Sequence, residues 1–183
     1  GLIVLSPIFV IIALCIVLDS RGGVFYRQVR VGRDGKDFRL FKFRSMASGA
    51  DKKGLITVGA KDSRVTRVGY FLRKYKLDEL PQLLNVVRGE MSLVGPRPEV
   101  RKYVDMYTVE QRKVLAVAPG ITDYASIEYA DENTILGQAS DPDRAYVEQI
   151  MPDKIRYNMK YINNRCLKEY FKIIFLTLMK IVK

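Results

Sequence analysis

The chain has 183 residues, with 31 Lys and Arg against 20 Asp and Glu and a formal charge of +11. At 48% hydrophobic and 28% charged it can core one domain with a small appendage, which excludes wholesale disorder. Histidine is absent, which removes Ser-His and Cys-His catalysis and His-ligated metals; an acid, base or nucleophile must be a carboxylate, Lys, Tyr, Ser, Thr or Cys, and a metal would be a hard, oxygen-seeking ion such as magnesium.

The basic excess attracts polyanions: nucleic acid, anionic lipid or phosphorylated substrates. Cys15 and Cys166 lie far apart and fit no zinc or redox spacing. Two reduced thiols suit a cytoplasmic catalytic face. Gly1 rather than Met opens the chain, so a fragment or a trimmed protein is expected.

Leu2 to Leu18 carries no charge. A straight helix of that length reaches roughly 25 Å, at or below the lower limit for crossing a bilayer. Ser6-Pro7 falls inside it. Proline removes a donor and clashes with the preceding turn, so the helix is expected to bend or break there. The Ser6 hydroxyl is a candidate partner for the freed carbonyl. A secretory signal fits poorly, because no basic n-region or small-residue cleavage site is seen. A transmembrane helix, a bent helix that enters and leaves by one face, and a buried soluble helix remain as readings. Asp19-Ser20-Arg21-Gly22-Gly23 ends the run.

Val24 to Arg30 and Phe38 to Met46 read as strands joined by turn chemistry at Gly32-Arg33-Asp34-Gly35. The pair makes a basic hairpin with Arg27, Arg30, Arg33, Lys36, Arg39, Lys42 and Arg44, suited to headgroups or phosphates. Residues 47–57 read as a polar loop. Val65, Val68, Phe71, Leu72 and Tyr75 recur at helical spacing, which predicts an amphipathic helix over 64–75. Thr108 to Gln111 is a capping-box start for a helix to about Ala116, stopped by Pro119-Gly120. Residues 145–163 read as mostly helical, with Pro152 marking a break or restart. Leu167 to Val182 reads as a helix with a basic stripe and a broad apolar face, fit for a membrane interface or for packing on the core.

Chemistry concentrates in residues 72–99, LRKYKLDELPQLLNVVRGEMSLVGPRPE. Asp78 is placed as an N-cap, with Glu79, Leu80 and Pro81 as the first turn. That end of a helix favours ionised carboxylates and bound phosphate. Arg73, Lys74 and Lys76 lie just upstream. Acids, cations and a helix start together suit phosphoryl transfer, and a carboxylate can attack phosphorus covalently. In Gly95-Pro96-Arg97-Pro98, two prolines hold one guanidinium with little entropy left to lose, a device for gripping phosphate. Plain helix capping and an ordinary Pro-rich turn are the simpler readings of the same residues.

LDELPQLLNVVRGEMSLVGPRPE resembles the signature of the bacterial sugar transferases, the monotopic phosphoglycosyl transferases. Ser6-Pro7 resembles that family's Ser-Pro bend in a re-entrant membrane helix. Phe25-Tyr26-Arg27-Gln28, the Phe41 to Met46 block and Pro119-Gly120-Ile121-Thr122 resemble its other blocks, in order. The resemblance implies an α+β, mostly helical fold. Residues 1–19 would be a membrane-inserted, re-entrant helix broken at Ser6-Pro7. Residues 20–183 would be a cytoplasmic catalytic domain with a small basic hairpin and interfacial amphipathic helices, at the bacterial inner membrane. It implies transfer of a sugar 1-phosphate from a UDP-sugar to polyprenyl phosphate, with UMP released and a covalent intermediate on Asp78. Glu79 would hold magnesium with Asp78 or handle protons. Arg73, Arg97, Lys42 and Asn158 would bind substrate phosphate. An anionic membrane surface is an implied partner; nucleic acid is not.

Three departures from the family pattern stand out. Only five residues precede Ser6, where relatives carry basic residues and an Asp, so the anchor is expected to be truncated or incomplete. Asn158 stands where many relatives have Asp, and it cannot accept a proton. Asp123-Tyr124-Ala125 replaces Gly-Trp-Ala, and residues 121–145 read as the sugar-specificity region. A basic binding module without catalysis is the competing reading; the Asp78-Glu79 pair amid the cations argues against a polyanion partner, and no nucleic-acid motif is evident. A transferase relative inactivated by truncation is a third.

Overall fold

The computed structural model describes residues 1–50 and 62–182 as a mostly helical α+β chain. Residues 51–57 of the expected polar loop lie outside the described residues.

Helix α1, Leu2–Asp19, runs on through Pro7. The helix bends at Pro7, if at all, without breaking, and the reason is local. Proline at position 7 deprives one carbonyl, that of Ile3, of its i+4 donor. The Ser6 hydroxyl donates to that same oxygen at 2.8 Å. Only Ile12 and Ile16 of α1 are buried, while Ile3, Val4 and Leu18 are largely exposed. This overturns the buried soluble helix. By length and composition α1 can cross a membrane.

The base of α1 is fixed to the rest of the chain by polar groups. Arg44, itself buried, donates to the carbonyls of Ser20 at 2.7 Å and Arg21 at 2.6 Å. Asp19 accepts from the Val68 N–H at 3.0 Å. Thr66 caps the same helix, α2 (Arg67–Lys74), through the Gly69 N–H. Helix α2 starts three residues later than the periodicity predicts, because Val65 instead pairs with Met46 as a β-bridge. Ile12, Ile16, Phe43 and Leu72 form a core between α1, α2 and the hairpin, whereas Phe71 and Tyr75 stay exposed.

The hairpin is β1 (Phe25–Val31) and β2 (Asp37–Phe43), antiparallel from Phe25↔Phe43 to Val31↔Asp37. Its turn places Asp34 in the left-handed region at φ 57°, which Asp tolerates better than most side chains. Buried Asn85 of helix α3 (Gln82–Val87) pins β2: it accepts from Phe41 N–H at 3.0 Å and donates to the Arg39 carbonyl at 2.9 Å.

A second, parallel pair joins β3 (Ser92–Val94) to β4 (Gly120–Thr122). Beyond it, Gly95 and Gly120 press backbone on backbone; a Cβ on Gly120 would lie 2.1 Å from the Gly95 nitrogen. Both motif glycines thus serve a contact no side chain could share.

Short helices follow: α4 (Arg101–Val104), α5 (Tyr124–Glu128), α6 (Glu132–Gln138) and α7 (Pro142–Ala145). The capping box forms as expected, with Thr108 and Gln111 exchanging side-chain-to-backbone bonds, but the segment it opens, Gln111–Ala116, is a 3-10 helix. Helix α8, Met151–Asn163, continues from a π-turn over Tyr146–Ile150. Pro152 marks the expected restart: it occupies the first turn of α8, where an N–H lacks a helical partner anyway. Val100, Tyr103, Val114, Tyr146, Ile150 and Ile155 are among the residues that core this half. Helix α9, Leu167–Val182, packs along one edge through buried Ile173 and through Thr177, which bonds Thr122 at 2.6 Å. Its Phe171, Phe175 and Leu178 remain exposed.

Candidate active site

Lys76 adopts a left-handed conformation at φ 55°, turning the chain sharply after α2. A 3-10 turn over Leu77–Glu79 follows, and α3 begins only at Gln82 with Pro81 in the cap position. Asp78 is therefore not the N-cap the sequence predicts. Backbone bonds close this turn, Glu79 N–H to Lys76 and Leu80 N–H to Leu77, so no side chain is needed to cap it. Asp78 is buried and lines a cleft of about 1200 Å³.

Glu79 lies between two cations. Lys42 of β2 reaches Oε1 at 3.1 Å. Arg97 closes a fork, with Nη1 on Oε2 at 3.0 Å and Nη2 on Oε1. Burial pushes the Glu79 carboxyl upward, but Arg97 and Lys42 overcome this and hold it well below the usual carboxylate range. Its charge raises the Arg97 guanidinium in turn. Burial holds the Lys42 ammonium below the ordinary lysine range, with Glu79 opposing. Asp78 goes the other way from Glu79. Burial raises it, Lys42, Arg73 and Lys76 pull it back, and the Glu79 charge adds to the rise. Neighbouring carboxylates are thus driven apart, a pattern common at sites of acid, base or nucleophilic work.

Arg97 is held from behind. Its backbone N–H donates to Asp123 Oδ2 at 2.8 Å. The flanking Pro98 carbonyl accepts from Arg30 Nη1 at 3.1 Å, and Val31 N–H donates to the Glu99 carbonyl at 2.8 Å. The Glu99 side chain accepts from Arg30, from the Val100 N–H at 2.8 Å and from the Tyr146 hydroxyl. Burial pushes the Tyr146 phenol upward, and Glu99 adds to it, so it stays a donor. Hairpin, α5 and the π-turn therefore converge on the one loop that carries Arg97.

The cleft brings together Asp78, Glu79, Arg73, Lys42, Arg97 and Asn158. Arg73 comes from the last turn of α2 and Asn158 from the buried face of α8. Ser6 and Pro7, in α1, are not among its lining. Nothing in the spacing of the residues marks Asp123, Glu99 and Tyr146 as supports for Arg97. An Asp just before a short helix is a capping signal for Asp123. Its second bond, to a residue 26 positions away, leaves no trace in spacing.

As for a metal, no group of three or more Asp, Glu, Cys or His side chains converges among the described residues. Both Glu79 oxygens are engaged by cations. Of the acidic pair, Asp78 is the member left to face a divalent ion. This donor set fits magnesium held by one carboxylate together with substrate phosphates, and does not fit an all-protein cage.

The bacterial sugar transferase family model matches residues 1–183. The chain is 38% identical over 180 residues to the UDP-N-acetylgalactosamine-undecaprenyl-phosphate N-acetylgalactosaminephosphotransferase of Aeromonas hydrophila, covering 97% of this chain and 40% of that protein. It is 40% identical over 182 residues to the UDP-glucose:undecaprenyl-phosphate glucose-1-phosphate transferase of Klebsiella pneumoniae, covering 98% and 37%. A protein of the same description from Caulobacter vibrioides is 42% identical over 125 residues, covering 67% and 47%. The chain belongs to the bacterial sugar transferase family. It spans about two-fifths of the length of the first two relatives.

Proposed function

We propose that this chain transfers a sugar 1-phosphate from a UDP-sugar to polyprenyl phosphate, through a covalent ester on Asp78. The observation that carries the reading is the split pair: Asp78 raised by burial and lining the cleft, Glu79 neutralised by Arg97 and Lys42 beside it. A carboxylate with few committed partners keeps its lone pairs for attack.

In the first step an Asp78 oxygen attacks the phosphorus bearing the sugar. The bond from that phosphorus to the bridging oxygen breaks, and UMP leaves with the electron pair. In the second step an oxygen of polyprenyl phosphate attacks the same phosphorus. The Asp78–phosphorus bond breaks and the carboxylate is regenerated. Arg97 and Lys42, already fixed on Glu79, and Arg73 at the cleft wall supply positive charge without reorganising, the condition under which electrostatic stabilisation is strongest. Asp78 together with substrate phosphates would hold magnesium, which would supply charge neutralisation for the diphosphate.

Helix α1 and the exposed apolar face of α9 support a membrane-associated placement at the inner membrane, with the basic hairpin toward anionic headgroups on the cytoplasmic side. In this reading α1 bends at Pro7 so that it enters and leaves by one face, and the Ser6 hydroxyl takes the carbonyl that Pro7 frees. The test is UMP release from a UDP-sugar by the chain in membranes, with magnesium and undecaprenyl phosphate. Release that requires all three is expected. No release from any UDP-sugar would refute the assignment.

A further inference from the structure

Among the described residues, two oxygens are buried with nothing to bond them: Ser126 Oγ and Asn158 Oδ1. A buried oxygen without a partner is costly, so it asks for an explanation. Both residues line the cleft that holds Asp78. Ser126 lies on α5 and Asn158 on α8, and these two helices pack together. Tyr129, at the end of α5, bonds Asp153 at 2.8 Å and meets the Tyr157 ring at 6.5 Å. Tyr124 and Ile127 pack in one cluster with Tyr161 and Ile162. Ser126, between Tyr124 and Tyr129 on α5, and Asn158, between Tyr157 and Tyr161 on α8, thus belong to the stretches through which the two helices pack.

These two oxygens are also tied to Arg97. Asp123, fully buried, accepts from Arg97 N–H through Oδ2 at 2.8 Å and from Ser126 N–H through Oδ1 at 2.6 Å. One rigid carboxylate thus sets the distance between a guanidinium aimed at the acidic pair and a hydroxyl awaiting a partner. A ligand that meets both must carry phosphate at one end and hydrogen-bonding groups next to it.

We propose that Ser126 and Asn158 form the subsite for the sugar ring, with Asn158 Oδ1 accepting from a ring O–H or acylamino N–H and Ser126 Oγ, turned about its one rotatable bond, completing the pair. This rests on the transferase reading above, and it moves Asn158 from the phosphate to the sugar. Asn suits the task because it accepts a hydrogen bond while remaining uncharged beside the acidic pair. The same carboxylate makes Asp123 a positioning residue for both ends of the ligand.

The test separates the two readings by measuring binding without turnover. In the full chain carrying Asp78→Asn, affinities are measured for UMP and for UDP-glucose and UDP-N-acetylgalactosamine. Adding Ser126→Ala or Asn158→Leu is expected to weaken the better-bound UDP-sugar about 10-fold each, and UMP by less than 2-fold. Ser126→Thr, which keeps the hydroxyl, is expected to restore binding. Without ligand, Ser126→Ala is expected to leave the melting temperature unchanged or raised, since it deletes an unpaired buried group. UDP-sugar affinity unchanged in both variants, UMP weakened in parallel, or a lowered melting temperature for Ser126→Ala would overturn the subsite. Absence of UMP release from the chain with Asp78 intact would overturn the transferase reading alone.

Discussion

The backbone N–H of Arg97 and the carboxylate of Asp123 meet at 2.8 Å, while the guanidinium of that same arginine forks onto Glu79. The charged end and the hinge end of Arg97 are thus fixed by different parts of the chain, so each can be tested separately.

Asp123→Ala leaves the Arg97 and Ser126 N–H groups without their acceptor in a fully buried place. A loss of about 2–4 kcal/mol is expected by chemical denaturation. Asp123→Asn keeps an acceptor for one of the two and is expected to lose about half as much. Equal stability of Asp123→Ala and the parent would show that the carboxylate holds nothing.

Arg97→Lys replaces a fork by a single ammonium. One Glu79 oxygen loses its guanidinium partner. A 10- to 100-fold fall in kcat/KM for UMP release is expected, together with about 1–3 kcal/mol of stability. Retained kcat/KM would dismiss the fork as part of the machinery.

The Asp78 carboxyl is raised in the folded state, chiefly by burial, so the folded chain holds that proton more tightly than the unfolded one. Ionising it costs folding free energy, and the cost grows as pH rises from about 3.8 through the folded value. Asp78→Asn removes it. That variant is expected to abolish UMP release yet melt higher than the parent at pH 7, with the gain vanishing near pH 4. The acid limb of kcat/KM in the parent is expected above the ordinary aspartate value. Glu79 has the opposite sign: depressed when folded, it adds stability above about pH 4.5 that is lost as pH falls through its folded value. A melting point for Asp78→Asn below that of the parent at pH 7 would contradict this account of the pair.

Asn85 joins β2 to α3 and so holds Lys42 within reach of Glu79. Asn85→Ala orphans the Phe41 N–H and the Arg39 carbonyl in the core. A loss of about 2–4 kcal/mol is expected, with kcat falling in step as Lys42 drifts. Unchanged denaturation would refute the pin.

What could be read from the residues differs by range. The hairpin was legible, because alternation and the Gly32 to Gly35 turn are local signals. The capping box at Thr108 was legible for the same reason, though not that a 3-10 helix would follow. The acidic pair and Arg97 stood out as motifs, and they do share a cleft. Capping by Asp78 was misread, because the left-handed Lys76 that displaces the helix start has no sequence mark. In the residues alone Pro7 marks a bend or break and Pro152 a break or restart; the chain stays helical through Pro7, where a neighbouring hydroxyl takes the freed carbonyl, and Pro152 sits in the first turn of the helix that restarts there. Asp123, Glu99 and Tyr146 were missed because their contacts join segments distant in the chain.

The most direct measurement is mass spectrometry of the chain incubated with a UDP-sugar and magnesium in the absence of polyprenyl phosphate. A peptide containing Asp78 heavier by one sugar phosphate, with UMP formed alongside and the adduct discharged on adding the lipid, is the expected result. UMP formed only when lipid is present, with residue 78 never modified, would contradict it.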